Sequence, residues 1–171
     1  LIATHSSPRK FTPNFKRNMS DNMIKDLANN NGLIMLNFGS GFISEQSNKS
    51  FEDINSKVEK YKIENKLEGS DKKLLKYRDD LINNVKPFAS INDFIDTIDH
   101  VKELVGIDHI GLGSDFDGLC NTLPFDLKDT STYPNILYKL LKREYSEIEI
   151  KKICSDNLFR VWNANLQNHQ I

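Results

Sequence analysis

Cysteine is nearly missing from this sequence. Cys120 and Cys154 are the only two in 171 residues, too few and too far apart for a disulfide scaffold or a cysteine-based zinc site, and they leave the redox compartment undetermined. Any metal must therefore be held by histidine and carboxylates. A strong charge of one sign is missing as well: a net charge of -1 and a pI near 6.5 give no reason to expect nucleic acid or an anionic membrane as a partner. No apolar run approaches the roughly 20 residues that cross a bilayer, and the polar end from Asn163 to Ile171 carries no hydrophobic anchor signal. No low-complexity linker divides the chain. An initiating Met is also lacking, and because Leu1-Ile2-Ala3-Thr4-His5 already reads as a buried strand, a piece of a longer protein is expected.

What is present is ordinary globular sequence, 38% hydrophobic and 27% charged, enough for one sizeable core. Leu1 to Thr4 read as a short strand that stops at His5-Ser6-Ser7. Pro8 to Asn18 form a basic loop, in which Arg9, Lys10 and Lys16 are expected to be solvated cations. Ser20 should cap a helix with Met23, Ile24 and Leu27 at helical spacing, ended by Asn29-Asn30-Asn31-Gly32. Leu33 to Phe38 read as a second strand, opening into a loop at Gly39-Ser40-Gly41-Phe42.

From Ser44 to Ala89 the composition shifts to Lys, Glu, Asp and Asn with sparse apolar positions, which predicts a helical hairpin insertion turning at Gly69-Ser70-Asp71. Ser90 and Asp93 resemble a capping box ahead of an amphipathic helix carrying Phe94, Ile95, Ile98, Val101, Leu104 and Val105, closed by Gly106. His100 reads as structural on that helix, and neither His109 nor His169 suggests a site. After a third strand, Pro134 opens a helix bearing Ile136, Leu137, Leu140 and Leu141. Ser146 to Glu149 form a full capping box, and a last helix from Asp156 to Leu166 should pack Leu158, Phe159, Val161 and Trp162.

That third strand organises the rest. His109 to Gly118 is an apolar run that ends in Ser114-Asp115-Phe116-Asp117-Gly118. Polar residues just past the carboxyl end of a buried parallel strand face a site rather than a core, so Asp115 is the first candidate catalytic group. The plainer alternative is a turn in which Asp is a local cap and Gly118 supplies a positive φ. The alternation of strands and helices predicts an α/β fold with parallel strands. Three strands alone would leave two apolar edges unpaired. The chain is therefore expected to be the carboxyl-terminal part, about the last three β/α units, of a TIM-type β/α barrel, which takes roughly 250 residues.

With His5-Ser6-Ser7, Lys16-Arg17-Asn18, Met35 to Phe38, Ile98 to Val101, Gly111 to Gly118, Tyr133-Pro134-Asn135 and Asp156 to Val161 in this order, the chain resembles the membrane dipeptidase (renal dipeptidase) family. The resemblance implies a barrel with two zinc ions bridged by a carboxylate, which hydrolyses dipeptides by an attacking bridging water. It also implies that a His-x-Asp pair, the bridging Glu, a carbonyl-polarising His and a first His ligand lie upstream of these residues. Carried over by motif, His5 is the second His ligand on one zinc, Arg17 binds the substrate carboxylate, and Asp115 moves the proton. Phe42 is also assigned to the substrate site, standing where some members have a Tyr whose hydroxyl helps hold that carboxylate. The hairpin is expected to act as a lid or a subunit contact, and a homodimer is compatible with the sequence. Two competing readings are a non-catalytic barrel homologue that binds partners and a barrel whose glycine-rich strand ends hold phosphate. The second is disfavoured because Asp115 and Asp117 would repel it.

Overall fold

A computed structural model of the chain describes residues 1–167; His169 lies outside them. Strands β1 (Ile2–Ser6), β2 (Leu33–Leu36) and β3 (Ile110–Leu112) form one parallel sheet in that order, with β2 central. Each is short because the apolar run that buries it is short, and parallel pairing demands the helical crossovers that the intervening sequence supplies.

The first crossover is α1 (Asp21–Asn29), whose N-cap Ser20 accepts a bond from the Met23 amide. Its end follows the expected left-handed pattern, with Asn31 at φ 53°. Between β2 and β3 come α2 (Ser40–Ile43), the hairpin helices α3 (Glu45–Glu64) and α4 (Lys72–Val85), and the amphipathic α5 (Ile91–Val105). The hairpin turns where expected, with Asp71 capping α4 through the Lys73 amide. The Ser90–Asp93 capping box is formed, and Gly106 closes α5 at φ 87°. Helix α6 (Phe116–Leu119) follows β3, and α7 (Tyr133–Lys142), α8 (Glu147–Lys151) and α9 (Asn157–Gln167) complete the chain.

The core lies between the sheet and α1, α5 and α7: Ile24, Ile34, Leu36, Phe94, Ile98 and Ile136 are all buried there. Phe38 packs its ring against Phe94 at 4.5 Å and Phe116 at 5.6 Å, so an aromatic cluster supports the residues just beyond β2 and β3. Asn157 donates to the carbonyls of Ile107 and Ile110, both at 2.8 Å, and so fastens α9 to the entry of β3.

Several expectations change. Gly39 to Phe42 are not simply a loop, because α2 begins at Ser40. Helices α8 and α9 are joined through a π-helical turn over Lys152–Asp156 instead of a break. Phe159 and Trp162 do not pack inward: they are exposed with Leu166 on the outer face of α9, while Val161 takes the inward position. Met23 and Leu141 are likewise exposed, since each falls at the edge of its helix's apolar stripe. Arg9 is not a solvated cation. It donates to the carbonyls of Asn18 and Lys16 and ties the basic loop together. Among the described residues no helix is long and apolar enough to cross a membrane.

Candidate active site

The site is built at the carboxyl ends of the three strands. On β1 the register slips by one residue against β2, Ala3 facing Ile34 but Ser6 facing Leu36. Such a bulge turns a side chain away from its alternating position, and the residues at this one are Thr4 and His5. His5 Nδ1 lies 2.9 Å from the Thr4 hydroxyl, and its Nε2 lies 2.6 Å from Arg17 Nη2. Guanidinium can only donate, so Nε2 accepts and the proton sits on Nδ1. Arg17 itself is exposed, but the next residue is not. Asn18 is fully buried and donates to Thr12 Oγ1 at 2.6 Å and to the Phe42 carbonyl at 2.7 Å, while it accepts from the Ser7 amide at 3.2 Å. These contacts hold the Arg17 loop over the strand ends.

On β2 the decisive residue is Asn37, fully buried. Its amide donates to the Ser6 carbonyl at 2.9 Å, its Oδ1 accepts from the Gly39 amide at 2.7 Å, and its Nδ2 donates to Asp115 Oδ2 at 3.1 Å. One side chain thus ties the β2 end to the β3 end, and its own backbone reaches the β1 end. Asp115 sits at φ 57°, in the left-handed region that non-glycine residues seldom adopt. Gly118 does not supply the positive φ. It lacks a side chain because a Cβ there would collide with the Asp115 carboxylate. Asp115 carries the strain, and the docking of the next residue, Phe116, against Phe38 and Tyr133 helps hold it there. Gly113 is needed for space as well, since a Cβ would collide with the Thr4 carbonyl oxygen and lie 2.7 Å from that of Met35.

A sequence profile of the family described as "Membrane dipeptidase (Peptidase family M19)" matches residues 1–170. The chain belongs to the membrane dipeptidase family. Solved structures share its fold. A probable dipeptidase, PvdM, from Pseudomonas aeruginosa superposes with a TM-score of 0.70 at 24% identity, over 95% of this chain and 44% of that one. A metallopeptidase from Rhodobacter sphaeroides, bound to a phosphinate mimic of the dipeptide L-Ala-D-Ala, gives a TM-score of 0.64 at 23% identity, over 93% of this chain and 34% of that one. The chain thus spans less than half the length of these two solved proteins.

Among the residues singled out from the sequence, the structure brings His5 and Arg17 into contact at the end of β1 and sets Asp115 on Asn37 at the end of β3, across the central strand β2. Phe42 lies beside them, its ring 5.1 Å from that of Phe15 in an edge-to-face pair. Asn37 and Asn18 were missed as site residues. Both stand within quoted motifs, and an amide that directly follows an apolar strand, or an Arg, is the signal that could have found them. His100 is structural as expected: Lys10 donates to its Nδ1 at 3.2 Å, so its Nε2 donates to Asp21 at 3.0 Å. His109 Nδ1 meets the Gly32 carbonyl at 2.9 Å, also a packing role.

A metal fits this chain only in part. Among the described residues no group of three or more His, Cys, Asp or Glu is placed to hold one. His5 qualifies as a single ligand, being neutral at Nε2 with its other nitrogen hydrogen-bonded, the arrangement that orients metal-binding imidazoles. The same lone pair faces Arg17, so ion and guanidinium are mutually exclusive there.

Proposed function

We propose that this chain forms the carboxyl-terminal part of a zinc-dependent dipeptidase, in which further parallel strands complete a β/α barrel. The single observation that carries the reading is the shared end of one parallel sheet: His5 and Arg17 meet at the carboxyl end of β1, Asn37 at the end of the central β2 holds Asp115 at the end of β3, and Asn18 braces the Arg17 loop. That is the face where β/α barrels place their chemistry. The barrel also accounts for β1 and β3, which pair only with β2 among the described residues, and for the exposed Phe159, Trp162 and Leu166.

In this reading His5 contributes one ligand to zinc, and the remaining ligands come from outside these residues. When bound, zinc would supply a Lewis acid and activate water at neutral pH. Arg17 leaves His5 to grip the dipeptide's terminal carboxylate with its planar fork, a geometry that a lysine does not reproduce. Asp115, oriented by Asn37, takes a proton and returns it to the leaving amine. Phe42 borders the substrate without adding a hydroxyl.

The test uses the full-length protein that carries this chain. It should hydrolyse free dipeptides, lose that activity to a chelator, and regain it with zinc. Dipeptide amides, which lack the carboxylate that Arg17 would hold, should be poor substrates. Zinc-loaded protein that cleaves no free dipeptide, or cleaves the amides equally well, would overturn the proposal.

A further inference from the structure

Beside the site lies a cleft of about 200 Å³ lined by residues from all three strand-end segments and from the hairpin. Phe15 comes from the loop after β1, Phe42 from α2 after β2, Leu119 from α6 after β3, and Phe51 from α3. Phe15 and Phe42 pair edge to face, and the floor between α2 and α3 is bare because Gly41 stands there, its missing Cβ position 3.4 Å from the Phe51 ring. The Asn48 amide is already spent on the Gly41 carbonyl at 3.0 Å. Glu52 and Arg78 bring one charge of each sign to the lining, so the cleft favours neither cationic nor anionic groups. Asn55 and Thr122 also line it, the Thr122 hydroxyl spent on the Leu119 carbonyl at 2.6 Å, and Phe15, Phe42, Phe51 and Leu119 supply the apolar walls.

We infer that this cleft receives the side chain of the dipeptide's carboxyl-terminal residue and selects bulky apolar side chains, an inference that rests on the proposed dipeptidase reading. The geometry that points there is local. Phe15 stands two residues before Arg17, and Asn18, directly after Arg17, is bonded to the carbonyl of Phe42. Chain proximity and this backbone bond thus place the segments that carry both cleft rings next to the Arg17 loop. A dipeptide carries that carboxylate and its last side chain on the same Cα, whereas the first residue's side chain lies across the scissile bond. A ligand held at Arg17 therefore offers its last side chain to the neighbouring apolar walls, where burial and ring-edge contacts favour size. The hairpin accordingly acts in specificity, since α3 supplies the outer wall.

The experiment measures kcat/KM of the full-length zinc-loaded protein for dipeptides that share an amino-terminal alanine and end in glycine, leucine, phenylalanine, aspartate or lysine. Leucine and phenylalanine should exceed glycine by about tenfold or more, the scale on which apolar pockets discriminate, and should also exceed aspartate and lysine. Phe51→Ala, which removes a wall, and Asn55→Trp, which fills the mouth from an exposed position of α3, should each lower the leucine-to-glycine ratio by about tenfold. Lys57→Trp, exposed on α3 and outside the cleft, should leave that ratio alone. Hydrolysis with no preference for bulky apolar ends, a ratio that neither cleft variant moves, an equal loss in Lys57→Trp, or a shift in preference at the amino-terminal residue instead would each overturn this inference alone. Absence of any dipeptide hydrolysis would overturn the proposed function and this inference with it.

Discussion

Arg17 Nη2 lies 2.6 Å from His5 Nε2, a cation resting on the lone pair that a metal would need. The contact joins the loop after β1 to the bulge within it. It also couples two assignments that look independent along the chain, because whatever draws Arg17 toward a carboxylate exposes His5.

Arg17→Lys keeps the charge but loses the two-pronged grip. In the full-length protein KM for free dipeptides should rise by about 10- to 100-fold, matching roughly 1.5–3 kcal/mol for a charge-assisted bond, with kcat little changed. Steady-state kinetics check this, and an unchanged KM would remove Arg17 from the substrate site.

If His5 is a zinc ligand as proposed, His5→Ala removes that ligand and not a proton carrier, so bound zinc should fall when measured by elemental analysis after dialysis. Full retention of zinc by a folded His5→Ala protein would assign His5 to the strand-end packing alone.

Asp115→Asn preserves shape but cannot accept a proton, so kcat should drop by about 100-fold or more at unchanged zinc content. Asn37→Ala should lower kcat too, because it releases the carboxylate that Asn37 orients. In the double variant the Asn37 change should add little to the loss from Asp115→Asn. Fully additive losses would mean that Asn37 acts only on the fold.

Gly113 and Gly69 make a matched pair for stability. Alanine at Gly113 drives a methyl into the Thr4 and Met35 carbonyls, whereas a Cβ at Gly69 meets nothing within 4 Å. Gly113→Ala should therefore cost at least about 1–3 kcal/mol, while Gly69→Ala should be neutral or gain about 0.4–1 kcal/mol. Denaturant titration of the two variants distinguishes them.

Glu149 closes the α8 capping box and meets Lys102 at 2.7 Å. The Lys102 ammonium, helped by the Ser146 amide, holds its carboxyl down to about 2. A depressed carboxylate stabilises the fold above its unfolded value of about 4.3 and loses that contribution as pH falls through its folded value. Glu149→Gln should thus cost about 1 kcal/mol or less at pH 7, given the solvent screening of the pair. The gap to the unaltered protein should narrow steadily below pH 5 in thermal melts.

Local chemistry was legible residue by residue. Ser20, Ser90 and Ser146 are caps because a hydroxyl beside unpaired helix amides has one good use, and Gly106 ends α5 because φ 87° suits glycine. The abrupt stop of an apolar strand at Asp115 marked a strand end in the same way. Exposure on single helices was less legible. The spacing of Phe159 and Trp162 is compatible with either face of α9, and only the position of Asn157 against β3 decides which face turns inward.

The order of short apolar strands, capped helices and polar strand ends, and with it the family, was set by the linear sequence, since turns, caps and burial periods depend on neighbours a few residues apart. What the tertiary structure alone decided is which distant residues meet. The bulge that turns His5 toward Arg17 exists only as a register between two strands. Asn37 reaches Asp115 across 78 positions because parallel pairing lays the ends of β2 and β3 side by side. Neither contact has a local signature: an amide after a strand bonds whatever partner the sheet brings to it, and that partner is fixed by packing.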